Sequence, residues 1–155
     1  MRATFENALA VRHQIRRLRS IDLYDPWVHA HRAADAHFLI IALWRLRMAA
    51  GVCASRLPEG SVEGLLAAFD NAVPETRAMR NVVMHYDNYL LENDKRLNVV
   101  ATTGMKVKRE DVESLHPSPD GLSWLGRNYT FDDIDAAAVA LYQGLNQATG
   151  IQGWE

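Results

Sequence analysis

Apolar positions recur every three or four residues through most of the chain, the spacing of one face of an α-helix. Ala8, Val11, Ile15 and Leu18 predict a first helix over 5–19, with Arg12, Arg16 and Arg19 on another side. Asp25-Pro26 supplies the next start, an acid at the N-cap and a proline in the first helical position, where an amide has no partner anyway. From there Trp27, Ala30, Ala34, Ile41, Trp44 and Met48 predict an inward stripe that stops at Gly51. Ser61 is placed to cap a third segment carrying Val62, Leu65, Leu66 and Phe69. Pro74 predicts an end or kink at Val73, because proline lacks the amide and pushes its predecessor away from helix. A fresh helical stretch follows over 74–93, with Met79, Val82, Val83, Tyr86 and Leu90 facing inward.

The period changes over 96–130. Leu97 to Thr103, Gly104 and then Met105 to Lys108 predict a small β-hairpin or arm, and His116-Pro117-Ser118-Pro119-Asp120-Gly121 predicts a turn-rich connection. Thr130 with Asp133 three residues later opens the last helix in the manner of a capping box, and Ile134, Ala138, Leu141 and Leu145 form its stripe. No repeat or interdomain linker interrupts the pattern. The expected fold is mainly α, a four-helix up-down bundle with a small β-hairpin insertion (about 96–130) before the last helix, in one domain over 1–155.

Composition narrows the function classes. The chain is 48% apolar and 23% charged, the balance of an ordinary globular domain. A net charge of −2 exerts no general pull on nucleic acid, so RNA binding needs a local basic group. The single cysteine, Cys53, leaves no intrachain disulfide and fits a reducing compartment. The opening Met-Arg-Ala-Thr-Phe-Glu has no signal-peptide character, and the run from Phe38 to Trp44 stops at Arg45, too short to span a bilayer. A cytoplasmic protein with no membrane partner is expected.

The segment richest in chemistry is Arg80-Asn81-Val82-Val83-Met84-His85. Arginine keeps its charge and forks onto phosphate oxygens, and histidine exchanges a proton near neutrality. Together they suit phosphodiester chemistry. On one helix Arg80 and His85 stand roughly 140° apart, so two copies about a two-fold axis would be needed to bring them to one cleft. Asn81 and His85, four apart, share a face and are placed to hydrogen-bond.

In this R-N-x-x-x-H form the chain resembles the HEPN superfamily, small helical bundles, commonly dimeric, whose members include metal-independent endoribonucleases of toxin–antitoxin and defence systems. The resemblance rests on Arg80, Asn81 and His85. It implies that the ribose 2′-hydroxyl attacks the adjacent phosphate, with His85 in proton transfer, Arg80 stabilising transition-state charge and Asn81 orienting His85 or touching phosphate. No metal or other cofactor is implied. The implied partners are a second copy of the chain, an RNA substrate and an antitoxin protein. One toxin subgroup has a tyrosine two residues after the histidine; here Asp87 stands there. The β insertion lies outside the minimal family pattern.

Other groups compete for attention. Arg77 beside the motif, and Lys106 and Lys108 on the expected arm, are the candidate RNA contacts. Arg12, Arg16, Arg17, Arg19, Arg32, Arg45 and Arg47 read either as phosphate contacts or as salt bridges within the bundle, and one of Arg45 and Arg47 as a pair across an interface. His31 and Asp35, four apart, could share a metal, but no second pair at ligand spacing accompanies them, so no metal site is expected. Trp27, Trp44, Trp124 and Trp154 read as core or interface anchors. The alternative to a ribonuclease is a non-catalytic helical dimer that binds protein or RNA through the same surface.

Overall fold

The computed structural model describes residues 1–20, 28–85 and 109–150. Among them the chain is mainly helical: α1 (Arg2–Ser20), α2 (Val28–Ala54), α3 (Glu63–Ala72), α4 (Thr76–Met84), α5 (Arg109–Glu113) and α6 (Phe131–Thr149). A small antiparallel sheet, β1 (His116–Pro117), β2 (Gly121–Trp124) and β3 (Arg127–Thr130), sits between α5 and α6 in the order β1-β2-β3. Helix α1 packs on α2 and α6, α2 also meets α3 and α4, and α3 lies along α6.

The first and last helices follow their sequence patterns. Helix α1 buries Ala8, Val11, Ile15 and Leu18 as predicted and adds Thr4, so it begins a turn earlier. Arg17 and Arg19 in its last turn complement the negative end of the helix dipole. At the start of α6 the Thr130 hydroxyl accepts from the Asp133 amide (3.1 Å) and donates to the Asp133 carboxylate (2.6 Å). Gly150 closes that helix with φ 64°, a left-handed cap.

Helix α2 turns a different face inward from the one predicted. Ala36, Leu39, Ile40, Leu43, Leu46 and Ala50 are buried. Of the expected stripe, Ala34 and Met48 are exposed, Ile41 and Trp44 half-buried, and Trp27 lies outside the described residues. This helix is apolar nearly all round, so periodicity alone does not select its buried side; its neighbours do. It also continues through Gly51 to Ala54. From His31 to Ala54 it has the length and composition of a membrane-crossing segment. Its Asp35 and Arg47 are nevertheless tied to α1 and α3 by ion pairs, and one side of it forms the domain core.

Ser61 does not cap α3; its hydroxyl donates to the Pro58 carbonyl (2.6 Å) in a tight turn, and Val62 takes the N-cap without a side-chain bond. The break at Pro74 occurs as predicted, since α3 ends at Ala72 and α4 begins at Thr76. Glu75 turns the chain with φ 65°, a left-handed conformation that costs a residue with a Cβ about 1 kcal/mol. Helix α4 ends at Met84, short of the predicted limit at 93. The His85 amide tightens the last turn by bonding to both the Asn81 and Val82 carbonyls (3.1 and 3.3 Å). The hairpin predicted over 97–108 and residues 86–93 lie outside the described residues.

The sheet occupies 116–130, which includes the segment predicted as a turn-rich connection. Its strands are two and four residues long, too short for alternation to register. Glycine and turn chemistry define it instead. A Cβ on Gly121 would lie 2.1 Å from the Tyr129 carbonyl oxygen, so only glycine permits this backbone approach. Leu125 and Gly126 both have positive φ (50° and 73°), the signature of a two-residue type I′ hairpin turn. Leu125 tolerates it with its side chain in the core. Trp124 is buried beside it and donates from Nε1 to the Val112 carbonyl (3.2 Å), which fastens α5 to the sheet.

Candidate active site on helix α4

Helix α4 divides its side chains cleanly. Ala78, Met79 and Val82 enter the core, Arg80 and Asn81 are half-buried, and Arg77, Met84 and His85 are exposed. The Pro74 break starts this helix afresh, so its faces are set independently of α3.

Arg80 is held from two sides. Its guanidinium lies over the Trp44 ring of α2, 5.9 Å from the centroid, and its Nη1 donates to Asn81 Oδ1 at 2.9 Å. Among the described residues no carboxylate forms an ion pair with Arg80 or Arg77. An arginine stacked on an indole keeps its charge and most of its N–H donors while its orientation is fixed. Asn81 is thus turned to the arginine, and the expected side-chain pair between Asn81 and His85 is not formed; the link is the backbone bond from the His85 amide. His85 stands at the C-cap with φ −124°, so the cap sets its direction rather than the helical period.

Beside Arg80 lies a groove of about 390 Å³ lined by Trp44, Arg47, Met48, Asp70, Glu75 and Arg77, among others. Arg47 grips Asp70 with two bonds (2.7 and 2.8 Å). Glu75 Oε1 is 3.5 Å from Arg127 Nη2, and its buried Oε2 has no hydrogen-bond partner among the described residues. Below it, the Tyr129 hydroxyl donates to the Pro74 carbonyl (3.1 Å). Burial pushes that phenol up to about 12, with Glu75 adding and Arg127 opposing. It is therefore a neutral structural donor near pH 7, not a general base.

The remaining sequence candidates separate into structural and unplaced. Asp35 is buried and receives both Nε and Nη2 of Arg17 (3.0 and 3.2 Å), so it is engaged in an ion pair. Among the described residues no three His, Cys, Asp or Glu side chains come together as a metal set. Arg12 pairs with Asp135 (3.0 Å) and Arg19 with Asp132 (2.6 Å), which gives these arginines the salt-bridge role. Lys106 and Lys108 lie outside the described residues. Sequence reasoning missed the support that Trp44 gives Arg80 and the strained Glu75 at the helix start. For Glu75 the adjacent Pro74 break was the available signal; for Trp44 there was none, because its partner is 36 residues away.

No protein-family model matches the chain, and neither a curated protein nor a solved structure matches it.

Proposed function

We propose that this protein is a HEPN-like, metal-independent endoribonuclease, acting in the cytoplasm as the toxin of a toxin–antitoxin pair or as a defence component. Its helices are read as a four-helix up-down bundle of α1, α2, the kinked α3–α4 pair and α6. The observation that carries the reading is Arg80, stacked on Trp44 without an acidic partner among the described residues and one residue from Asn81, on the helix that His85 ends.

In this reaction the 2′-oxygen bonds to the neighbouring phosphorus as the bond to the 5′-oxygen breaks. One proton leaves the 2′-hydroxyl and one reaches the departing oxygen, leaving a 2′,3′-cyclic phosphate and a 5′-hydroxyl end. His85 serves in the proton transfer, and Arg80 compensates charge building on the non-bridging oxygens. Asn81 positions the arginine, a role that its 2.9 Å bond supports more directly than contact with His85. Arg77, exposed one turn earlier, offers a further phosphate contact, and Lys106 and Lys108 remain proposed contacts. The nucleophile comes from the ribose, so the scheme requires no metal.

The test is cleavage of a mixed structured-RNA pool in EDTA by wild type, His85→Ala and Arg80→Ala. Cutting that leaves cyclic-phosphate ends, lost in both variants with unchanged circular dichroism, is the expected result. A folded wild type that binds RNA or protein without cutting assigns the surface to a binding module instead.

A further inference from the structure

Val73, Glu75, Thr76 and Arg77, the residues that lead into α4, all line the groove that this helix shares with α2. The Met79 amide bonds to the Glu75 carbonyl at 2.8 Å, so the amides of Thr76, Arg77 and Ala78 have no partner within the helix. No side chain caps them. Glu75 at the N-cap makes no side-chain bond, and the first turn holds no acidic residue. A helix start of this kind favours a bound anion. Thr76 supplies a second, independent mark. It is only 5% exposed and lines the groove, yet its hydroxyl makes no hydrogen bond among the described residues. A buried hydroxyl normally has a partner; this donor is left over at the same helix end as the free amides.

We propose that this end of α4 binds a small monocarboxylate carrying an apolar group. Charge selects the anion. Arg47 and Asp70 cancel through two bonds (2.7 and 2.8 Å), and Glu75 Oε1 lies 3.5 Å from Arg127 Nη2. That leaves Arg77, exposed on the groove, as its charged side chain without a partner among the described residues. One uncompensated cation matches one negative charge, whereas a phosphate dianion would set a second against Asp70 and Glu75. The first-turn amides and the Thr76 hydroxyl donate to the two carboxylate oxygens, with the Arg77 guanidinium alongside. The other walls select the body of the ligand. Val73 is buried, Trp44 half-buried and Met48 49% exposed, so an apolar group laid here takes apolar area out of water. The groove's volume of about 390 Å³ is of small-ligand size.

This site does not rest on the ribonuclease reading. It uses the start of α4, whereas His85 caps the opposite end of that helix, about 14 Å further along the axis. Its two key side chains also separate cleanly from the fold. Thr76→Val keeps the shape of the residue and removes a hydroxyl that bonds to nothing among the described residues, so stability is expected to hold. Arg77→Ala removes an exposed cation and leaves its backbone amide in place.

The test is an NMR titration of the full chain with phenylacetate, with uncharged phenylacetamide and with inorganic phosphate. Wild type is expected to saturate with phenylacetate at a dissociation constant on the order of 1 mM. The shifted amides should be those of Thr76, Arg77 and Ala78. Thr76→Val and Arg77→Ala should each weaken binding about tenfold, the scale of one hydrogen bond to a charged group, with unchanged urea unfolding. A wild type that does not saturate, or equal binding by both folded variants, overturns the site. Phenylacetamide binding as well as phenylacetate overturns the carboxylate, and phosphate binding more tightly through the same amides overturns the choice of a monoanion. RNA cleavage by a protein that binds no phenylacetate sinks this site and spares the ribonuclease; saturable binding without cleavage does the reverse.

Discussion

The arginines of α1 and of α4 carry the same charge into different surroundings. Arg12, Arg17 and Arg19 each meet an aspartate on another helix, Asp135, Asp35 and Asp132. They tie α1 to α6 and α2, and carboxylates take up their donors. Arg80 meets an indole face and an amide oxygen instead, and Arg77 is exposed. A carboxylate neutralises an arginine and competes with phosphate for its fork; an aromatic face orients the arginine and leaves its charge in place. Arg19 too lies over a ring, that of Phe131 at 5.8 Å, so a carboxylate partner, not an aromatic face or the count of basic residues, distinguishes the paired arginines of α1 from Arg80.

The largest effect that would break this contrast concerns activity. Under the proposed ribonuclease function, Arg80→Ala is expected to lower RNA cleavage by about 100-fold or more, the scale of losing one preorganised donor to the transition state. Its thermal unfolding should move little, because a half-buried cation–π contact contributes only about 1 kcal/mol. A large stability loss with cleavage retained would place Arg80 among the structural arginines.

Arg17→Ala should do the opposite. The Asp35 side chain is only 6% exposed while that of Arg17 is 56% exposed, so the variant strands a buried carboxylate at a cost of about 2 kcal/mol. Urea unfolding reads this directly, and RNA cleavage should persist in the folded fraction. Tyr129→Phe, which leaves the Pro74 carbonyl without its 3.1 Å donor, should lose about 1 kcal/mol in the same assay. Smaller still are Arg12→Ala and Arg19→Ala, whose exposed pairs are worth less than about 1 kcal/mol and fade in high salt.

A pH series sharpens the comparison from the histidine side. His37 is partly buried, its ring 6.2 Å from that of Trp124, and burial holds its pKa below the ordinary value. The unfolded chain therefore takes up the proton first, so this contribution to stability is present above about pH 6.5 and declines as pH falls below it. Urea unfolding at successive pH values should show that slope in wild type and a flatter one in His37→Asn. Equal slopes would remove His37 from the account.

The geometry of the candidate site was legible in part. Arg80, Asn81 and His85 stand out from residue chemistry and spacing, and Pro74 announced the helix that carries them. The pairing of Asn81 with His85 was misread, because spacing places two residues on one face but does not decide which neighbour an amide turns to. The α2 stripe was misread for a related reason. Trp44 and Met48 satisfy a helical period as well as Leu43 and Leu46 do, and only the packed neighbours choose between the two faces.

The sequence by itself determined the break between α3 and α4, the start of α6 and what fills the buried sides of α1 and α6. Those features depend on local physics: the Pro74 break, the Thr130 cap and the spacing of Ala8 to Leu18. Tertiary structure alone decided that short strands form between Pro117 and Thr130, that Trp44 supports Arg80, that Asp35 is buried under Arg17, and that the Phe38–Val52 side of α2 faces outward. Each of these depends on a neighbour distant in sequence, and no local pattern can specify what a side chain meets across the fold.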